Sequence, residues 1–400
     1  MVRRVLISGL GVVSPIGNDI ASYWQALLTK DNEARNIPFL REEYMRNRRG
    51  YYVNDWMPTF TSVPYLEGGR SCQFAVSAAE MALGDAGLLD RVSELSCGVS
   101  LANGLGDAEP IERARAGGPA SSALEHFMFR LDAAVASRFS LSGPSFTVST
   151  ACSAGLYSIE IGARAIQRGW ADVMIVGGSE GFSRVAQACF NRLGALDSKN
   201  CRPFDVNREG TLFGEGAAVM VLESELHAQN RGWTRSYAYL AGCGDSCDGY
   251  HATAPDPSAD YTCAAARRAI DEAELSPEAI DCVIAHGTGT ALNDVAESVT
   301  LERVFGDRIQ EIPVCAIKSK IGHSGGAAGA FSCLTAVLAL ERGAVPPTAH
   351  LNSLDPRCRL KIVTGTAKQA RLDYALVNSY GFGGNNISLV IGRYATDANR

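Results

Sequence analysis

Short apolar runs recur along the chain, set apart by glycines and polar turns. Val5-Leu-Ile-Ser8, Cys97-Gly-Val-Ser-Leu101, Ser145-Phe-Thr-Val-Ser149 and Ala171-Asp-Val-Met-Ile-Val-Gly-Gly178 are too short for helices and rich in β-branched residues. They predict buried strands, as do Gly214-Glu-Gly-Ala-Ala-Val-Met-Val-Leu-Glu223, Asp281-Cys-Val-Ile-Ala285 and Val314-Cys-Ala-Ile317. Longer stretches carry the helical period instead. Residues 73–88, 127–139, 156–168 and 327–341 predict helices, and in the third of these Leu156, Ile159, Ala163 and Ile166 form one stripe. Residues 104–121, rich in glycine, alanine and proline, predict a long loop, and residues 34–66 are irregular. Strands alternating with helices predict an α/β protein with buried sheets.

The pattern also repeats. Met81-Ala-Leu-Gly-Asp-Ala-Gly-Leu88 lines up with Arg268-Ala-Ile-Asp-Glu-Ala-Glu-Leu275, and Ala163-Arg-Ala-Ile-Gln-Arg-Gly169 with Val337-Leu-Ala-Leu-Glu-Arg-Gly343. Gly381-Phe-Gly-Gly-Asn-Asn-Ile-Ser-Leu-Val-Ile391 echoes the glycine-led run that begins at Gly214. Matched order in both parts predicts a duplicated βα unit, with halves at residues 1–245 and 246–400 joined near 242–255. Two stacked halves that share central helices would bury every helix–strand pair.

Composition narrows the function classes. A net charge of -6 over 400 residues argues against a basic nucleic-acid surface. Twelve cysteines are scattered without a CxxC pair, which argues against a disulfide framework or a zinc site; no other metal site is expected. No apolar run reaches membrane-spanning length and the N-terminus reads as a strand, so a reducing cytoplasm is the expectation. Gly9-Leu-Gly11 has a faint dinucleotide-binding look, but Ser14 stands where the third glycine belongs and Pro15 follows it. Arg41, Arg46, Arg48 and Arg49 lie among Tyr44, Tyr51 and Tyr52, with Glu42, Glu43 and Asp55 mixed in; this reads as a solvated insertion.

The candidate chemistry sits in small-residue turns at strand ends. Cys152 falls between a strand and a helix, at the positive end of the helix dipole. That position predicts a lowered thiol pKa and an exposed nucleophile. In the second half His286-Gly-Thr-Gly-Thr290 ends one strand, and Lys318-Ser-Lys-Ile-Gly322-His323 ends the next. By the repeat, Gly326 falls opposite Cys152, so one thiol, two imidazoles and a lysine converge from both halves.

These residues carry a family likeness. Ser149-Thr-Ala-Cys152-Ser-Ala-Gly, His286-Gly-Thr-Gly-Thr290, Lys318-Ser-x-x-Gly-His323 and Asn378-Ser-Tyr-Gly-Phe-Gly-Gly384 resemble the β-ketoacyl-acyl carrier protein synthases, elongating type. Gly249-Tyr-His-Ala-Thr-Ala-Pro255 and Arg202-Pro-Phe-Asp205 extend the likeness over nearly the whole chain. The resemblance implies the thiolase fold, two similar βα halves in a five-layered αβαβα arrangement. It implies decarboxylative Claisen condensation between an acyl group on Cys152 and a malonyl group on acyl carrier protein. Cys152 and Phe382 would supply backbone N–H groups to the oxyanion, with Phe382 also the gate. His286 and His323 would stabilise the enolate, and Lys318 would support His323. Thr288 and Thr290 match positions that hold the pantetheine arm, and Asp294 and Glu297 match acidic positions behind the first histidine. No cofactor of its own is implied, since phosphopantetheine carries the substrates. The expected partners are acyl carrier protein, at Arg70 and Arg202, and a second subunit. A homodimer is expected, or a heterodimer with a chain-length partner, across an edge at residues 143–150.

Two positions depart from the family pattern. Ser332 replaces a glutamate nine residues after the second histidine, and Ile284 replaces an asparagine two before the first. Lys318 is therefore expected to pair with Glu297. Among rival readings, a thiolase needs a second cysteine that Gly381-Phe-Gly-Gly384 lacks, and Cys-His-Asn synthases do not carry the His286/His323 pair. A papain-like hydrolase needs neither duplicated halves nor Lys318. A non-catalytic chain-length partner would lose the cysteine.

Overall fold

The computed structural model describes residues 3–29, 31–43, 45–54, 56–58, 69–117, 127–233 and 235–394. The first half supplies strands β1 (Val5–Val13), β2 (Cys97–Ala102), β3 (Ser145–Val148), β4 (Val173–Glu180) and β5 (Gly216–Ser224). The second supplies β6 (Ala238–Cys247), β7 (Cys282–Ile284), β8 (Pro313–Cys315), β9 (Tyr374–Gly381) and β10 (Asn385–Arg393). The first five lie in the order β3-β2-β4-β5-β1 and the second five in the order β8-β7-β9-β10-β6. Counted within its half, each order reads third, second, fourth, fifth, first. The senses match too. β2 runs parallel to β3 and β4, while β4 with β5 and β5 with β1 are antiparallel. β7 runs parallel to β8 and β9, while β9 with β10 and β10 with β6 are antiparallel. The duplication read from the sequence is thus a duplication of topology. β1 and β6 pair over Val5↔Leu240, Leu6↔Tyr239 and Ile7↔Ala238, which joins the two sheets. The expected join at residues 245 and 246 falls inside β6.

Seven helices matter to the site: α1 (Arg70–Asp85), α2 (Arg130–Phe139), α3 (Ala154–Gln167), α4 (Arg184–Leu193), α5 (Asp260–Glu272), α6 (Ala291–Phe305) and α7 (Ala328–Arg342). Helices α1 and α2 cover the outer face of the first sheet, and α5 that of the second, with α6 packed on α5. Between the sheets α3 and α7 pack on each other. Helix α7 is apolar almost all round and buried from Ala328 to Leu340, as a helix sandwiched between sheets must be. Gly9 and Gly11 do not cradle a dinucleotide. They let β1 touch α1, since a β-carbon on either would lie 2.1 or 1.9 Å from the carbonyl oxygen of Ala82 or Ala78.

One expected loop is partly helical. Residues 108–115, inside the predicted 104–121 loop, form a helix Ala108–Arg115 supported by the Glu109–Arg113 pair one turn apart. Only Pro110 in it is buried, so it offers no apolar stripe to read. Residues 118–121 of that loop, and Tyr44 and Asp55 of the insertion, lie outside the described residues. No helix among the described residues is long and apolar enough to cross a membrane. β3 is the last strand of its sheet.

Candidate active site

Cys152 sits in a single 3-10 turn, Ala151–Ser153, that runs directly into α3. Ala151 is in the left-handed region (φ 51°), a strained conformation for a residue with a β-carbon and one that recurs beside reactive groups. Ser153 Oγ donates to the Thr150 carbonyl at 2.7 Å and Ser379 Oγ to the Cys152 carbonyl at 3.0 Å, which hold the turn. The N–H groups of Phe382 and of Cys152 itself are directed at the thiol. The expected lowering of the thiol pKa is not found. Burial pushes it up to about 11, against the pull of Lys318 and of the Phe382 N–H. A short turn at a helix start does not outweigh the depth of the site.

Both histidines reach the same cavity as Cys152. It encloses about 410 Å³, and its walls include Cys152, His286, His323, Thr288, Thr290 and Phe382. The two imidazole rings stand perpendicular, at 88°, with centroids 5.8 Å apart. Burial holds both well below the ordinary histidine pKa, and the Lys318 ammonium adds to the effect. They are neutral at pH 7. Lys318 lies behind His286, 3.3 Å from its Nδ1, and donates to its backbone carbonyl. An ammonium at Nδ1 makes that nitrogen the acceptor, so the neutral ring carries its proton on Nε2. His323 is fixed through its backbone, with its N–H on the Leu212 carbonyl at 2.8 Å and its carbonyl taken by the Gly214 N–H at 3.1 Å. Its Nδ1 has no partner among the described residues.

The acidic residues act on backbone. Glu297 accepts the N–H of His286 at 2.7 Å and of Gly287 at 2.8 Å, and Asp294 accepts those of Phe204 at 2.7 Å and Gly289 at 3.2 Å. Asp294 is paired with buried Arg208 at 3.2 Å. The expected Lys318–Glu297 ion pair is absent among the described residues: the two Glu297 oxygens are committed to N–H groups, and Lys318 bonds His286. Glu297 is still the largest favourable charge on Lys318. Burial drives both toward their neutral forms, and each charge resists that in the other. Lys318 thus bonds His286 directly, while its charge also reaches His323. Ser332 and Ile284 are buried without a carboxylate or amide to offer.

Phe382 stacks on Phe190 with rings 5.8 Å apart at 7°, and Phe190 packs edge-on against Phe213. Behind Phe382 lies a nearly apolar compartment of about 210 Å³ bounded by Leu105, Phe182, Val185, Phe190 and Phe213, which also touches Cys152 and Glu180. Phe190, Phe213 and Glu180 were not singled out from the sequence. Glu180 alone left a signal, a charge closing an apolar strand. Thr288 and Thr290 hydroxyls lie 2.9 Å apart on the cavity wall. Arg70 and Arg202 are already engaged. Arg70 bonds Glu215 at 2.6 Å and lies over Tyr52 and Phe74, while Arg202 bonds Asp197 at 2.8 Å. Arg46, Arg48 and Arg49 instead line a separate cavity that shares Phe190 and Gly194 with the first.

The sequence matches the N-terminal domain of β-ketoacyl synthases over residues 2–228 and their C-terminal domain over residues 237–352. The chain belongs to the β-ketoacyl synthase family. Its relatives include the 3-oxoacyl-[acyl-carrier-protein] synthase 2 of Coxiella burnetii, 34% identical over 98% of this chain and 99% of the relative. That of Rhizobium meliloti is 35% identical over 98% and 99%. Among solved structures, the ishigamide ketosynthase/chain length factor superposes on this synthase with a TM-score of 0.91 at 37% identity, covering 99% of this chain and 100% of that one. A type II polyketide ketosynthase, in complex with its acyl-carrier protein and bound to the hexaketide, superposes with a TM-score of 0.89 at 29% identity, covering 98% and 100%. The thiolase-type architecture read from the motifs stands with them.

Proposed function

We propose that this synthase joins an acyl group to a malonyl unit by decarboxylative Claisen condensation on acyl carrier protein. Cys152 sulfur attacks the acyl thioester, the bond to the carrier's pantetheine sulfur breaks, and that sulfur leaves as a thiol with the cysteine's proton. The N–H groups of Cys152 and Phe382 hold the oxyanion; losing one such donor costs roughly a hundredfold. A malonyl carrier then enters, with its pantetheine arm along Thr288 and Thr290. Its carboxylate leaves as carbon dioxide, and the electron pair left behind forms an enolate whose oxygen accepts from His286 Nε2–H and from His323. Neutral imidazoles donate without quenching the carbanion. The enolate carbon attacks the Cys152 thioester, the carbon–sulfur bond breaks with its electron pair on the Cys152 sulfur, that thiolate takes a proton from water, and the β-ketoacyl carrier departs. The apolar compartment behind Phe382 takes the acyl chain.

The observation that carries this reading is the shared cavity: one thiol with two N–H groups aimed at it, facing two neutral imidazoles from the opposite half. Arg70 and Arg202 are held by the buried carboxylates of Glu215 and Asp197, whereas Arg48 pairs with exposed Glu42 at 3.2 Å, and Arg46, Arg48 and Arg49 are the surface we assign to the carrier. A second subunit, by default an identical one, would dock along the β3 edge, and twelve free cysteines fit a reducing cytoplasm. The alternative, a non-catalytic chain-length subunit, has the solved ketosynthase/chain length factor pairs in its favour and Cys152 against it. Incubation with an acyl carrier separates the two. A mass increment of one acyl group on the wild type, absent in Cys152→Ala, is expected; no increment on the wild type would favour the partner role.

A further inference from the structure

Glu180 has no task in the condensation just described. It closes β4 and is buried, with 5% of its surface exposed. Its Oε2 accepts the N–H of Gly104 at 2.7 Å and of Gly326 at 2.9 Å. One oxygen therefore ties the loop after β2, in the first half, to the turn after His323, in the second. The fit is close: a β-carbon on Gly104 would lie 2.9 Å from Oε2, and one on Gly325 2.6 Å, with Gly325 also at φ 51°. Oε1 is buried and has no partner among the described residues. A backbone clamp does not need a second, unsatisfied oxygen, so that oxygen calls for another explanation. The carboxyl also borders the apolar compartment that Cys152 adjoins.

We propose that Glu180 is a positioning residue of the condensation, fixing the His323 turn against the acyl compartment, and that its carboxyl, on the wall of that compartment with Cys152, acts on the thiol. The inference rests on the proposed function for its first part only. The groups facing the thiol are Lys318, which favours the thiolate, Glu180, which opposes it, and the neutral His286 and His323. Facing the carboxyl are the N–H groups of Gly326, Gly104 and Leu105, which favour its charge, and Asp107, which opposes it. Burial prevails and pushes Glu180 up to about 7, so its charge changes across the neutral range.

The test uses two variants of the full chain. Glu180→Gln keeps an oxygen for both N–H groups and cannot ionise; Glu180→Ala removes the clamp. Alkylation of Cys152 by iodoacetamide is followed by peptide mass between about pH 5.5 and pH 9. The Gln variant and wild type should react alike at the acid end, where Glu180 is protonated. Above about pH 7.5 the Gln variant should react about threefold faster or more. Superimposed profiles would overturn the charge role. For malonyl-carrier decarboxylation, Glu180→Ala should lose about tenfold or more in kcat with KM within about twofold, and Glu180→Gln should restore it to within about threefold. Wild-type kcat in the Ala variant would overturn the positioning role. Should that variant fail to fold, a kcat loss of tenfold in Glu180→Gln with its clamp intact would overturn it instead. A wild type that takes no acyl group and releases no carbon dioxide defeats the proposed function, and the alkylation profiles still decide whether Glu180 acts on the thiol.

Discussion

Two loops in equivalent places have gone different ways. After β2 the chain reads Ala102-Asn103-Gly104-Leu105-Gly106, and after β7 it reads Ala285-His286-Gly287-Thr288-Gly289. Each follows the second strand of its half, and in each a buried glutamate takes the N–H of the first glycine: Glu180 with Gly104 at 2.7 Å, Glu297 with Gly287 at 2.8 Å. The difference is in the side chain before that glycine. Asn103 has both ends of its amide engaged within its own half, Nδ2 donating to the Ser179 carbonyl at 2.6 Å and Oδ1 accepting from the N–H groups of Leu105 and Gly106. His286 has only its Nδ1 engaged, by Lys318, and its other nitrogen is left for the cavity. The duplicated scaffold supplies the same loop twice, and the chemistry we propose falls to the copy whose hydrogen-bonding capacity is not used up. The same holds for the turns that open the two central helices. Ala151-Cys152-Ser153 and Gly325-Gly326-Ala327 are both 3-10 turns, yet only the first carries a thiol, the one we propose as nucleophile.

The largest effect should come from making those turns alike. Cys152→Gly puts the second half's residue into the first. Condensation should fall by about a thousandfold or more, with no acyl mass on the protein. Turnover within tenfold of wild type would remove Cys152 from the reaction. Making the loops alike comes next. His286→Asn should cut malonyl decarboxylation by about a hundredfold, while acyl transfer to Cys152, followed by intact mass, stays within a few fold. An equal loss in both steps would mean that His286 organises the site instead of stabilising the enolate.

Lys318, from the turn after β8, bonds the second loop at His286, and its removal should act through pH. Its charge lowers the Cys152 pKa and those of both histidines. In Lys318→Ala the thiol pKa moves up from about 11, so less thiolate is present at any pH below that value. Acylation should slow by about tenfold at pH 7.5. The histidine pKa values move up toward 6.5, so decarboxylation should begin to fail at a higher pH than in the wild type as pH is lowered. A variant whose two pH profiles match those of the wild type would show that the lysine's charge is not felt at the site.

Much of this was legible in the sequence because it is local. Cys152, His286, Lys318 and His323 each end an apolar run beside glycines, so strand, turn and reactive group come as one word. The duplication was legible because helix-ending phrases recur in order. What escaped depends on contacts between distant segments. That Arg70 is occupied follows from Glu215, 145 positions away, and that Glu297 is unavailable to Lys318 follows from two backbone N–H groups that no residue name reveals. The thiol pKa was misjudged for the same reason, since the helix start is local and the burial that outweighs it is not. Glu180 shows its role only when Gly104 and Gly326 meet.

The smallest effect on turnover should come from the silent loop. Asn103→Ala deletes three hydrogen bonds that are wholly internal to the first half's copy. Leaving their buried partners unmet costs about 1–3 kcal/mol, so the melting temperature should drop measurably. The deleted amide bonds the Leu105 N–H at the wall of the acyl compartment but neither Cys152 nor either histidine, and the Gly104 N–H stays on Glu180, so kcat for condensation should remain within about threefold below the new melting temperature. A loss as large as that of His286→Asn would mean that the two loops share the chemistry, and the division of labour between the copies would fall with it.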